Sequence, residues 1–198
     1  MTPTYFYTYP RPRFRFYREE IRDIIIAVGA LTFCFWNIIG GLRYPLLIIP
    51  AFIAVITGFF LHEMAHKYMA FRFGYPAAFR AWYTGLFFAL ITSFLGFLFA
   101  APGAVYIYGY PTKRDNGIIS AAGPITNLSA GVVMLLVWNF SGFAIFYYLA
   151  YLNFFLAFFN LIPFGPMDGL KIIRWNVYVF IALFLAAIGG LILLSISF

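Results

Sequence analysis

Residues 46–71 read LLIIPAFIAVITGFFLHEMAHKYMAF. The run exceeds the roughly 20 apolar residues that cross a bilayer core, yet its last third carries His62, Glu63, His66 and Lys67. Ionisable groups at that depth are costly and mark function. His62-Glu63-Met64-Ala65-His66 has the HExxH pattern. Positions i and i+4 of a helix share a face, so both imidazoles can reach one zinc ion. Glu63 lies alongside, where a carboxylate can take a proton from water. These are the chain's only two histidines. The competing reading of the same residues is a buried polar cluster that ties helices together.

The rest of the chain has the same character. Of its 198 residues 64% are hydrophobic, 23% aromatic and 10% charged. Soluble domains run nearer half apolar and a quarter charged, so this composition belongs to the lipid bilayer. The net charge of +7 is spread along the chain rather than gathered on a soluble domain. Basic segments beside anionic lipid account for it, and no nucleic-acid partner is expected. The single Cys34 excludes an internal disulfide framework, and sequons at Asn127 and Asn139 fall in or against apolar runs. The N-terminus lacks the cleavage pattern of a signal peptide, so the first apolar run is expected to stay as an anchor. The division expected is a basic, aromatic cytoplasmic segment at 1–23 and a membrane domain at 24–198, its core at about 46–174.

Six runs qualify as spans: Ile24–Leu42, Leu46–Phe71, Leu86–Val105, Ile118–Trp138, Phe143–Ile162 and Val177–Phe198. Lysine and arginine favour the cytoplasmic side. With six crossings and a cytoplasmic N-terminus, the inside holds Arg11, Arg13, Arg15, Arg18, Arg22, Lys67, Arg72 and Arg80. The outside then holds Arg43, Lys113, Arg114, Lys171 and Arg174. If Leu86–Val105 instead enters and leaves by one face, with Gly96 near its apex, only Arg43 remains outside. The expected fold is therefore an all-α polytopic membrane protein of five to six transmembrane helices. It includes a re-entrant hairpin after the HExxH helix and a small cytoplasmic-side β element. Arg13-Phe14-Arg15-Phe16 alternates at period two and Ala104–Tyr110 is rich in strand formers. Turn signals lie at Gly74-Tyr75-Pro76, Gly109-Tyr110-Pro111 and Asp115-Asn116-Gly117.

A catalytic zinc normally keeps three protein ligands. Glu19, Glu20 and Asp23 belong to the charged N-terminal region, and Asp115 sits beside Lys113 and Arg114. Asp168 remains, just past a span that ends level with the HExxH turn. An interfacial carboxylate paired with Lys171 is the alternative role for it.

The stretch Asn160-Leu161-Ile162-Pro163-Phe164-Gly165-Pro166-Met167-Asp168-Gly169 resembles the signature of the site-2 protease family, and Gly123-Pro124-Ile125-Thr126-Asn127 resembles that family's Gly-Pro-x-x-Asn motif. With HExxH, three motifs stand in family order over roughly residues 46–174. Met167 replaces the usual Leu, and Leu170 stands where a second Gly is common. The resemblance implies an intramembrane metalloprotease with one zinc per chain, held by His62, His66 and Asp168. It further implies that Glu63 is the catalytic base and that Asn160 steadies the substrate carbonyl or oxyanion. The partner expected is a transmembrane-helix protein, cut in a multi-pass cell-membrane enzyme whose site opens to the cytoplasm. A wet cavity is expected, lined by Asn127, Asn160 and Asp168. The sequence also admits a metal-binding transporter or a catalytically silent helix-binding homologue. No Glu follows Glu63, which disfavours the CAAX-processing type of membrane HExxH protease, whose third ligand is usually a downstream Glu.

Overall fold

A computed structural model describes residues 14–98 and 101–197. It is mainly helical. Helix α1 covers Arg18–Ile38. A 3-10 turn at Pro45–Leu47 leads into α2 (Ile48–Val55), a π turn at Ile56–Phe60, and α3 (Leu61–Arg72), which run on as one helix. Strand β1 (Ala77–Ala81), helix α4 (Tyr83–Phe94) and strand β2 (Gly103–Ile107) follow. The remainder is α5 (Lys113–Ser141), α6 (Ala144–Asn160), α7 (Asp168–Trp175) and α8 (Val177–Ser197).

Among the described residues four helices are long and apolar enough to cross a membrane: Arg18–Ile38, Pro45–Arg72, Lys113–Ser141 and Val177–Ile196. At 17 residues, α6 is about 25 Å long, at the short end of spanning lengths. Large apolar side chains such as Phe87, Phe140, Leu185 and Ile196 face outward, which suits a lipid surround rather than water.

The run Leu86–Val105 is not one helix. Helix α4 stops at Phe94, after 12 residues or about 18 Å of rise, and Gly96 turns the chain at φ +85°. A positive φ is available to glycine at little cost. Strand β2 then pairs antiparallel with β1, setting Ala81 opposite Gly103 and Ala77 opposite Ile107. Residues 82–102 thus leave the sheet and return to the same place. Of the two paired strands, β2 matches the expectation for Ala104–Tyr110 in part. Strand β1 was not anticipated, because Ala-Ala-Phe-Arg-Ala lacks alternation.

Three further expectations change. Residues 14–16 pair with no strand; Arg13 lies outside the described residues. Asp115-Asn116-Gly117 is not a turn but the start of α5, where Thr112 Oγ1 accepts the Asp115 N–H at 3.1 Å. Asp and Asn near such a cap serve a helix N-terminus as readily as a turn. Helix α1 begins at Arg18, earlier than the start expected for the first apolar run at Ile24.

Two acids of the charged N-terminal region are buried, Glu20 fully and Asp23 nearly so. Glu20 accepts the Phe79 N–H at 3.0 Å and Asp23 accepts the Ala81 N–H at 3.3 Å. Spaced three apart, they present one helical face to the free edge of β1. Glu20 also takes Lys67 Nζ at 2.6 Å, and the ammonium lies over the rings of Phe16 and Phe14. Lys67 is therefore a paired core cation rather than a surface charge. Helix α3 lies between this α1–sheet lobe, whose core includes Leu31, Val55, Phe79 and Leu86, and the α5–α8 lobe around Ala157, Leu161, Ile172 and Phe180.

Candidate metal centre

His62 and His66 lie one turn apart on α3, and both rings turn toward α5 and the start of α7. Their Nε2 atoms are 3.0 Å apart. Asp168 Oδ2 is 3.3 Å from His62 Nε2 and 3.0 Å from His66 Nε2. All three residues are buried, and among the described residues they form a group close enough to hold one metal ion.

The donor set fits zinc. Bonds of about 2.1 Å in a tetrahedron separate ligand atoms by about 3.4 Å, close to the three distances here. The outer ring nitrogens are committed as well. His62 Nδ1 faces Asn127 Oδ1 at 2.6 Å and His66 Nδ1 faces Ile119 O at 2.8 Å. Both partners are oxygen acceptors, so each neutral ring carries its proton on Nδ1 and leaves the Nε2 lone pair facing inward. Two lone pairs and a carboxylate oxygen then converge, an arrangement that a cation between them stabilises.

Two glycines allow this approach. A Cβ on Gly123 would stand 2.5 Å from His66 Nε2 and 2.6 Å from His62 Nε2. A Cβ on Gly169 would stand 2.1 Å from Leu161 O, so the α7 N-terminus, and Asp168 with it, would be pushed off the end of α6. The Asp-Gly pair thus joins a candidate ligand to the space it needs.

A cavity of about 330 Å³ lies against the three ligands. Glu63, Val105, Asn160, Ser120 and Lys171 are in its wall, among mainly apolar neighbours such as Phe35, Val55 and Leu156. Glu63 Oε2 accepts the Val105 N–H at 2.9 Å. Phe79, opposite Val105 in the ladder, gives its N–H to Glu20. The two therefore form a non-hydrogen-bonded pair, and the β2 edge at 103, 105 and 107 faces away from β1. Asn160 lines the cavity, with its amide donating to Leu156 O of its own helix at 2.9 Å. Asn127 does not line it, standing instead behind His62. Asp168 has the geometry for both roles weighed for it: Oδ1 takes Lys171 Nζ at 3.3 Å while Oδ2 faces the histidines.

Sequence reasoning missed the contacts of Val105, Asn153 and Thr57. Val105 acts through its backbone, which leaves no mark on residue type. Asn153, a buried asparagine in an apolar helix, was a signal available to be read.

No family model matches the chain, and no solved structure does. It is 40% identical over 187 residues to a Methanocaldococcus jannaschii protein provisionally named zinc metalloprotease MJ0611, covering 89% of this chain and 94% of that one. It is 28% identical over 192 residues to Bacillus subtilis YwhC, also provisionally named a zinc metalloprotease, covering 77% of this chain and 88% of that protein. A second M. jannaschii protein, zinc metalloprotease MJ0392, is 30% identical over 140 residues, covering 68% of this chain and 35% of its own length.

Proposed function

The chain belongs to the site-2 protease family of zinc metalloproteases, and from that premise we propose that it is an intramembrane endopeptidase, hydrolysing peptide bonds within or near the transmembrane helices of membrane-protein substrates. One observation carries the reading. Three ligand atoms converge beside an apolar cavity in a chain built largely of helices long enough to cross a bilayer.

His62, His66 and Asp168 hold the zinc, which when bound supplies Lewis acidity toward water and a peptide carbonyl. Glu63 is the general base. Its Oε2 is anchored on the Val105 N–H, leaving Oε1 to take a proton from water and return it to the leaving amine. Asn160 steadies the substrate carbonyl, exchanging its bond to Leu156 O for one to the substrate. A helical substrate hides its carbonyls in i to i−4 bonds, so it opens locally before attack. The cavity-facing edge of β2 on either side of Val105, whose own N–H stays with Glu63, is where the opened strand is held by strand addition.

The same reading places residues 82–102 as a re-entrant hairpin between five full spans. In support, Ala81 and Gly103 are ladder partners and α4 is too short to cross. The re-entrant path also leaves Arg43 as the sole basic residue outside. The N-terminus and the cavity mouth then face the cytoplasm. Backbone outside regular helix is tolerated at membrane depth where it lines a cavity.

The test is cleavage of single-span membrane proteins by the purified chain. Glu63→Gln is expected to retain about one zinc per chain and lose cleavage; normal cleavage by that variant removes Glu63 from its role.

A further inference from the structure

A chain of buried side chains leads away from His62 into the protein, and the direction of every hydrogen bond in it is fixed. Thr57 Oγ1 donates its one proton to Ile53 O at 2.9 Å and so can only accept from Asn153 Nδ2, at 3.2 Å. The second proton of that amide goes to Leu149 O at 2.9 Å. With its NH2 spent, Asn153 offers Oδ1, which accepts from Asn127 Nδ2 at 3.1 Å. The other Asn127 proton goes to Gly58 O at 2.9 Å, within the π turn, where the α-helical bonding is widened. Asn127 Oδ1 then faces His62 Nδ1 at 2.6 Å. Three backbone carbonyls (Ile53, Leu149, Gly58), which can only accept, thus set the sense of the whole chain.

We propose that Thr57, Asn153 and Asn127 are positioning residues that impose one tautomer on His62, holding its proton on Nδ1 so that Nε2 stays free for the metal. His66 needs no such chain, because its Nδ1 faces a backbone carbonyl, Ile119 O, directly. The two ligands therefore differ. One is held by main chain, the other by an amide that would present a donor instead of an acceptor if it flipped. Asn153 prevents the flip, since a reversed Asn127 would set its oxygen against Gly58 O and against Asn153 Oδ1. A position on α6 thereby governs a ligand on α3 that it does not touch. Outer contacts of this kind typically change metal affinity or activity about 10–100-fold. The inference rests on the metal-site reading above; without metal, Asp168 Oδ2 offers each Nε2 a competing acceptor, against which the asparagine chain holds the His62 proton on Nδ1.

With only His62 and His66 in the chain, ¹⁵N-histidine labelling gives two rings, and His66 serves as the internal control. Spectra of the metal-free full chain in detergent, at a pH high enough for both rings to be neutral, report the tautomer of each. The expected result is Nδ1–H at both rings in the native chain. In Asn127→Leu and Asn153→Leu, the His62 ring shifts toward Nε2–H while His66 is unchanged. Thr57→Val gives the same shift in smaller degree, and Thr57→Ser restores the native spectrum. Zinc affinity, read by chelator competition, falls about 10–100-fold in the two asparagine variants. An unchanged His62 signal in both would overturn the proposal. So would equal disturbance of both rings, which makes the asparagines packing residues only. Failure of the native chain to bind zinc, with the tautomers as stated, would sink the metal reading and leave the positioning chain standing.

Discussion

Gly123 faces His66 so closely that a β-carbon on it would stand 2.5 Å from the imidazole Nε2. Helix α5 can approach α3 at the metal site because this position carries no side chain. Gly123→Ala is expected to displace the ring pair, with an overpacking cost of about 1–3 kcal/mol and loss of bound zinc. Metal content measured on folded, helical protein checks it; a fully loaded variant would show that the helices separate at no cost to the ligands.

Gly169→Ala acts on the third ligand without altering a metal-binding group. The added methyl meets Leu161 O, and the backbone must move, carrying Asp168 away from the histidines. Weaker zinc binding with little change in secondary structure is expected, read by chelator competition and circular dichroism together.

Lys67 and Glu20 are both fully buried and joined at 2.6 Å. Removing one partner of such a pair strands a buried charge, typically costing about 3–5 kcal/mol. Lys67→Met and Glu20→Gln should each lower the thermal midpoint sharply. Lys67→Met combined with Glu20→Gln should recover much of the loss. Simple additivity of the two single effects would mean that the pair is not coupled.

Topology can be read by thiol labelling in a Cys34→Ala background. Trp82, at the start of the returning segment, and Tyr108, just past the strand that follows it, are both half exposed. Cysteines placed at each are expected to react with a membrane-impermeant reagent from the same face. Labelling from opposite faces would require residues 82–102 to cross the bilayer.

Zinc removal offers a further check. Chelation is expected to abolish proteolysis and added zinc to restore it, whereas added magnesium should not. Two imidazoles and one carboxylate suit zinc better than a hard, octahedral ion.

The grouping of His62, His66 and Asp168 was legible because it rests on residue type and spacing. The i, i+4 histidines needed only helical geometry, and Asp168 was the one acid left near that layer. The sheet was half legible: β2 carries strand-forming residues, but β1 is Ala-Ala-Phe-Arg-Ala and exists because Glu20 and Asp23 satisfy its outer amides. The burial of those two acids was hidden for the same reason, as nothing in a local sequence reveals a partner some sixty residues away. Asn127 was read as cavity lining because composition marks a buried amide as polar without telling what it faces.

The π turn at Ile56–Phe60 makes the histidine helix sensitive to phase. One extra residue within a turn rotates everything after it by about 100° relative to a continuous α-helix. A substitution that closed the turn to α-helical bonding with every residue kept would leave hydropathy and HExxH intact while swinging both imidazoles round the helix axis, out of line with Asp168; deleting one residue there would leave their phase unchanged. A sequence can thus keep every motif of this family and its length, and still lose the alignment of its histidines through the bonding of a single turn.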